Sequence, residues 1–195
     1  MSLDLSEMHA AINTRHVCDN SLTKDFESLL SSGDGSDVTL VVNGKEIRAH
    51  RLILSTRCEV FSRLFAHEKA HEVEIHDTTP EALRCSIGYL YTDKCDINIE
   101  NVVDVARLSH QYQVDYLYKC SINSFKHLLK PDNAIVLWVS AHNAALLELV
   151  DVAEKFVLRN FFQQRAKFEN KEVLLAYPDL MMQVITRGKL VITCR

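Results

Sequence analysis

An Asn-Gly pair between two extended stretches narrows the choice of folds for this chain more than any other feature. In the first stretch, Val38–Val42, apolar side chains at alternate positions point to one face, as in a half-buried β-strand. Asn43-Gly44 follows, and both residue types accept the positive φ angles of a type I′ turn. A second extended stretch, Lys45–Ala49, completes the pattern. The sequence therefore predicts a β-hairpin over residues 38–49.

Most of the remaining chain has the spacing of apolar residues that is typical of helices. Directly after the hairpin this spacing includes Leu52, Ile53, Val60, Phe61, Leu64 and Phe65. A short strand is predicted near residues 73–75. Pro80 then favours the start of a helix, because proline has no N–H to lose at the first helical position. Further helices are predicted at 21–32, 101–111, 115–129, 133–145, 146–162, 171–176 and 178–187.

Composition and charge argue against several classes of partner. The 195-residue chain is 47% hydrophobic and 25% charged, which is ordinary for a globular protein. It has a net charge of −4 and no run of Lys or Arg, so we expect no nucleic acid among its partners. No apolar run approaches the ~20 residues that cross a bilayer, and the N-terminal residues lack the apolar core of a secretory signal. We therefore expect no membrane partner.

The six cysteines are scattered along the chain, and none forms a C-x-x-C pair. Cysteines in a chain without a secretory signal are typically reduced. We therefore predict free thiols and a cytoplasmic and/or nuclear location. The cysteines concerned are Cys18, Cys58, Cys85, Cys95, Cys120 and Cys194.

Residues 67–71, HEKAH, satisfy the H-E-x-x-H pattern of zinc metalloproteases. In those enzymes two histidines one helical turn apart bind zinc, and the glutamate acts as a base. Here the pattern lies where a helix ends and a strand begins, and Lys69 adds a cation beside the proposed metal. His76, the nearest candidate for a third zinc ligand, lies beyond that strand. We therefore predict a solvated loop, with no metal, no cofactor and no catalytic residue. The protein is not expected to be an enzyme.

The hairpin and the helices after it, with Asp37 before them and Ala49-His50-Arg51 at the hairpin exit, resemble the BTB (POZ) domain. Residues 73–97 resemble the third strand and following helix of that family, although Asp93 stands where the family usually has glycine. Residues 102–129 resemble its closing helix pair, and residues 130–161 resemble the start of a BACK domain. The spacing is most similar to the speckle-type POZ protein (MATH-BTB) group, without a MATH domain.

That resemblance implies an α+β fold, in which a short β-sheet with a helical cluster is followed by BACK-like helices. It also implies a flexible arm (1–20), a BTB/POZ domain (21–130), a partial BACK-like segment (131–187) and a tail (188–195). BTB domains are interaction modules. The implied function is a homodimeric adaptor that presents an unknown protein substrate to a cullin-3 RING ubiquitin ligase. A self-association scaffold or co-regulator without ligase function is the alternative.

The resemblance also assigns residues to surfaces. Asp37 and Arg51 would form a charged pocket near the dimer interface, and cullin-3 would contact Phe65, His67 and Tyr91. In cullin-binding relatives the connector after the equivalent of Phe65 carries a hydrophobic-x-Glu motif, whereas here the connector is shorter and the motif is lost. We therefore expect weak cullin-3 binding. The dimer interface itself would be formed by Leu22, Phe26, Leu29 and Ile53.

Overall fold

The computed structural model describes residues 21–67 and 71–161, together with positions 182 and 186. Within these ranges the chain forms one three-stranded sheet and eight helices. In chain order the elements are α1 (Ser21–Ser32), β1 (Val38–Val42), β2 (Lys45–Ala49), α2 (Arg51–Arg57), α3 (Glu59–His67), β3 (Glu72–Glu74), α4 (Pro80–Thr92), α5 (Val102–Gln111), α6 (Asp115–Leu128), α7 (Ala134–Asn143) and α8 (Leu147–Phe161).

The hairpin predicted from Asn43-Gly44 is present. Strands β1 and β2 pair antiparallel with Val42 opposite Lys45, and Asn43 and Gly44 between them have φ angles of 48° and 74°. Both angles are positive, as a type I′ turn requires. β3 pairs with the other edge of β1 in parallel, so the strand order is β2-β1-β3. The predicted α+β fold is confirmed.

One apolar core is formed by the sheet together with residues of helices α2 to α6. The alternate residues of β1 that the sequence assigned to one face, Val38, Leu40 and Val42, are all buried in it. They share this core with Phe61 of α3 and with Leu83 and Ile87 of α4. The largest fully buried side chains of this core are Leu40, Leu54, Phe61, Leu83, Ile87, Leu108 and Leu117.

A second apolar core joins the last two helices of the BTB-like part to the two helices that follow. Phe125 of α6 and Trp138 of α7 are fully buried in it, together with Leu149 of α8. Between α6 and α7, the Asn133 side chain accepts a hydrogen bond from the Lys130 N–H at 2.8 Å. The predicted break at Lys130-Pro131 is therefore a turn between helices, and the second core extends across it.

Helix α4 begins and ends as its sequence indicates. The Thr79 side chain accepts a hydrogen bond from the Ala82 N–H at 3.2 Å, and Pro80 occupies the first turn. At the other end Asp93 has a left-handed conformation with φ of 60°, where a glycine would be free of strain. Its carboxylate pairs with Arg57 of α2.

Most predicted helices appear with small shifts at their ends. The predictions for 101–111, 115–129, 133–145 and 146–162 correspond to α5, α6, α7 and α8. The arm (1–20) and the tail (188–195) lie outside the described residues. So do the helices predicted at 171–176 and 178–187, apart from positions 182 and 186, which are helical.

The prediction of free thiols is wrong for two cysteines. Cys85 and Cys95 form a disulfide between α4 and the loop that follows it. Cys58 is a buried free thiol, and Cys120 is a partly exposed one. Cys18 and Cys194 lie outside the described residues. The prediction failed because the pairing depends on how the loop after α4 folds back, which cysteine spacing alone does not reveal.

Candidate interaction surfaces

Helix α1 lies against α4, and the apolar residues predicted for a dimer interface divide between two environments. Phe26 is partly buried and packs against the first core of its own chain. Ile53 of α2 does the same. Leu29 is partly exposed, and Leu22 is 66% exposed. Leu22 and Leu29 therefore offer more apolar surface to a partner than Phe26 and Ile53 do.

Leu52 of α2 is an exposed apolar residue that the sequence did not assign to an interface. Its side chain is 79% exposed, whereas Leu54 is fully buried. Successive helical residues turn by about 100°, so Leu52 and Leu54 point in nearly opposite directions. Three consecutive apolar residues at 52–54 cannot all face one core, and that pattern could have indicated an exposed leucine.

The proposed charged pair, Asp37 and Arg51, meets at the start of α2. The Asp37 carboxylate accepts a hydrogen bond from the Arg51 main-chain N–H at 2.7 Å. Helix α2 has no cap from its own N-cap side chain, His50, so Asp37 satisfies one of its free N–H groups. The Arg51 guanidinium lies 4.6 Å from the centre of the Phe65 ring. Arg51 thus contacts Asp37 of the predicted pocket through its main chain and Phe65, a predicted cullin contact, through its side chain.

Phe65, the apolar anchor predicted to contact cullin-3, is held in an aromatic stack. Its ring lies 5.7 Å from that of Phe61, which in turn stacks on Tyr112 at 4.7 Å. Phe65 is only partly buried and lies near the end of α3. The His67 side chain and residues 68–70 lie outside the described part of the chain.

Tyr91, the third residue predicted to contact cullin-3, is 7% exposed. Its hydroxyl accepts a hydrogen bond from the His50 main-chain N–H at 2.8 Å. Burial raises the pKa of Tyr91 to about 12, because a phenolate would lose its hydration there. The structure thus places Tyr91 inside the fold, apart from the more exposed Phe65.

A groove of about 750 Å³ lies where α5 meets α7. Ile99 and Val136 line it and are 44% and 41% exposed. Arg107 also lines it, and its Nη2 atom is buried without a hydrogen-bond partner among the described residues. Three carboxylates share the lining with this single guanidinium, so the groove combines apolar side chains with a net negative charge. They belong to Asp77, Glu100 and Asp104.

The sequence alone did not indicate this groove, because its residues come from three separate segments. Asp77 precedes α4, residues 99–107 belong to the end of the loop before α5 and to α5 itself, and residues 133–144 belong to α7 and its flanks. Only the packing of α7 on α5 brings them together. The six consecutive apolar residues at 134–139 cannot all face one core, and that pattern could have indicated an exposed apolar residue on α7.

Within the described residues, no three His, Cys, Asp or Glu side chains form a group that could hold a metal ion. Part of the H-E-x-x-H segment lies outside those residues, and His71 is exposed with its Nδ1 3.4 Å from the Asp37 carbonyl oxygen. Burial raises the pKa of the Cys58 thiol, which disfavours a reactive thiolate. No helix in the described ranges is long and apolar enough to cross a membrane.

Comparison with known proteins identifies the family. Human Kelch-like protein 7 is 27% identical over 129 residues, which cover 64% of this chain and 22% of that protein. Human Kelch-like protein 22 is 24% identical over 197 residues, which cover 97% of this chain and 30% of that protein. The chain thus spans less than a third of the length of these curated relatives. They are Kelch-like proteins, which corrects the predicted likeness to the MATH-BTB group. Residues 26–128, just over half of the chain, match the BTB/POZ domain, and the protein therefore belongs to the BTB/POZ family.

Proposed function

We propose that this chain is a homodimeric, non-enzymatic protein-interaction module and that it serves as an adaptor of a cullin-3 ubiquitin ligase. The observation that carries the proposal is the BTB/POZ match over residues 26–128, joined through one core to the helices α7 and α8. Kelch-like relatives support it, since one of them matches 97% of this chain and another matches 64% of it. The substrate is a protein whose identity we leave open.

The proposed occupant of the exposed α1 and α2 surface is a second copy of the chain. Leu22 and Leu52 are 66% and 79% exposed, and α1 and α2 both pack on α4. In a two-fold symmetric dimer each of these leucines is present twice, so a small patch buries a larger apolar area. Of these two leucines, Leu22 belongs to the dimer interface that the family resemblance implies, and Leu52 is a new member that we add to it.

The proposed cullin surface combines Phe65 with the groove between α5 and α7. Phe65 lies near the end of α3 and retains part of its ring exposed. Ile99 and Val136 supply further apolar area, and Val136 lies on α7, one of the BACK-like helices. Together these surfaces would offset part of the affinity lost with the shortened connector.

Titration calorimetry of the full chain with the N-terminal domain of cullin-3 tests the adaptor function. Replacing Phe65 by Ala removes a partly exposed aromatic anchor, and we expect affinity to fall about ten- to hundredfold. Val136→Glu adds a fourth carboxylate to the groove lining and should also weaken binding. Leu147→Ala is the matched control, because Leu147 is an apolar residue that is 81% exposed and does not line the groove.

A scaffold without ligase function is the second candidate, and the stack around Phe65 favours it. Phe61 and the Arg51 guanidinium both lie against the Phe65 ring and already occupy part of it. Phe65 therefore has less exposed ring area with which to contact cullin-3. If the native chain dimerises and shows no heat of binding with cullin-3, the adaptor function is excluded and the scaffold remains.

A further inference from the structure

We propose that Cys85 and Cys95 form a reversible redox staple that controls the order of the loop at one rim of the α5–α7 groove. The disulfide joins α4 to this loop, which spans residues 93–101. The proposal concerns regulation of the surface assigned above to cullin-3. Its biological meaning rests on that proposed function, although the staple itself can be tested separately.

The two cysteines are placed for reversible chemistry. Their Cα atoms are 5.3 Å apart, within the usual range for a disulfide, so the fold can bring them together without backbone movement. Both residues are partly exposed. Cys58, by contrast, is buried and directs its Sγ to the Tyr112 carbonyl oxygen at 3.2 Å.

The stapled loop leads directly into the groove. Ile97, two positions after Cys95, packs against both apolar cores. Ile99 and Glu100 follow and line the groove. A change in the position or mobility of Cys95 is therefore transmitted to the groove through a short segment of chain.

Hydrogen bonds hold the two halves of the loop unequally. In the second half, the Asn101 side chain accepts from the Asn98 N–H at 2.8 Å and donates to the Asp96 carbonyl at 2.9 Å. The first half begins with the left-handed Asp93, and the Lys94 N–H donates to the Thr92 hydroxyl at 3.2 Å. Opening the disulfide removes the covalent restraint at Cys95, and the loop is then held by packing and these hydrogen bonds alone, which open more readily. Its effect is thus local loosening of the loop, with the fold retained.

The reaction is thiol–disulfide exchange with a thiol reductant. A thiolate of the reductant attacks one sulfur of the disulfide, which breaks the S–S bond and gives a mixed disulfide and one free cysteine. A second thiol of the reductant displaces the other cysteine. Both cysteines end as thiols and the reductant ends as its disulfide, so two electrons and two protons pass to the protein.

Hydrogen exchange measured by mass spectrometry on the full chain tests the staple. The probes are oxidised glutathione to close the disulfide and dithiothreitol to open it, with thiol-blocking peptide maps to verify each state. We expect the amides of residues 93–100 to exchange about tenfold faster after reduction, and those of α4 and α7 to be unchanged. Free Cys85 and Cys95 after treatment with oxidised glutathione, or equal exchange in both states, would overturn the proposal.

Variants separate this disulfide from the other thiols. The Cys85→Ser, Cys95→Ser double variant should show the fast exchange of the reduced chain and no response to dithiothreitol. Cys120→Ser is the control and should retain the full response, because Cys120 is a free thiol in α6. If the double variant does not fold, the comparison of the two redox states of the native chain decides the matter.

Calorimetry with cullin-3 in both redox states tests the link to the groove. We expect affinity to fall about three- to tenfold on reduction, because the partner must then order the loop as it binds. Equal affinity in the two states would contradict control of the groove. Absence of binding in both states would contradict the adaptor function, while the exchange measurement would still decide whether the staple orders the loop.

Discussion

The hydroxyl of Tyr91 lies 2.9 Å from the Nδ1 atom of His50 and also accepts a hydrogen bond from the His50 main-chain N–H. The other ring nitrogen, Nε2, lies 2.8 Å from the Asp34 carbonyl oxygen. A carbonyl can only accept, so Nε2 carries a proton, and in the neutral tautomer Nδ1 then accepts from the Tyr91 hydroxyl. This network joins α4, the start of α2 and the loop before β1.

Replacing Tyr91 by Phe should destabilise the fold. The ring is retained, but the His50 N–H and Nδ1 lose their partner in a site where Tyr91 is 7% exposed. We expect the free energy of unfolding in urea to fall by about 1–3 kcal/mol. Tyr116→Phe is the control, because Tyr116 is 69% exposed and should change stability by less than about 0.5 kcal/mol. Equal stabilities of the two variants would contradict a structural role for the network.

The stability of the protein should fall at alkaline pH. Burial raises the pKa of both Tyr91 and Tyr112 to about 12, from an ordinary value of 10.0. Between these values the unfolded chain releases protons that the folded chain keeps, so it binds fewer protons and stability decreases as pH rises. The contribution is fully present below pH 10 and is lost progressively as pH rises towards 12.

Urea unfolding at a series of pH values measures this loss. The double variant Tyr91→Phe, Tyr112→Phe has no phenol to ionise at either position and should show a flatter decline above pH 10. The Tyr112→Phe change keeps the aromatic ring that stacks on Phe61. A decline of unchanged slope in the double variant would assign the effect to other groups.

Elements specified by local chemistry could be predicted from the sequence. Asn43-Gly44 specifies the hairpin turn because few other pairs accept two positive φ angles, and both angles are observed. Thr79 and Pro80 indicate the start of α4 because an N-cap hydroxyl and a proline at the first position suit the free N–H groups there. Such features depend only on neighbouring residues.

Features that depend on packing between distant segments could not be predicted. The Cys85–Cys95 pairing requires the loop after α4 to fold back, and the groove requires α7 to lie on α5. Tyr91 has the aromatic character of an interface residue, but its hydroxyl has an internal partner in His50. The family resemblance supplied candidate surfaces, and the structure supplied the exposure of each side chain.

The left-handed conformation of Asp93 gives a test of backbone strain. Asp93→Gly and Asp93→Ala both remove the exposed pair with Arg57, but only the glycine relieves the cost of a φ angle of 60°. We therefore expect the glycine variant to be more stable to urea than the alanine variant by about 1 kcal/mol. Because both variants lose the same ion pair, the difference between their free energies of unfolding reports the backbone strain at position 93. An alanine variant as stable as the glycine variant would show that the position carries no strain.

The exposed leucines allow the proposed dimer to be tested without damage to the core. Phe26 is unsuitable by itself, since it packs against the first core of its own chain and a charge there would also destabilise the monomer. Leu22 and Leu52 have most of their side chains in solvent, so a charged residue at either position is tolerated by the folded monomer.

We expect the Leu22→Glu, Leu52→Glu double variant to be a folded monomer at concentrations where the native chain is a dimer. In the two-fold arrangement each glutamate would lie in an apolar contact close to a two-fold axis, where the desolvation of like charges opposes association. The dimer dissociation constant should rise at least about a hundredfold, measured by sedimentation equilibrium. Tyr116→Glu, at an exposed aromatic residue of α6, is the matched control and should remain dimeric. A monomeric native chain, or a double variant that still dimerises, would exclude this face as the interface between copies.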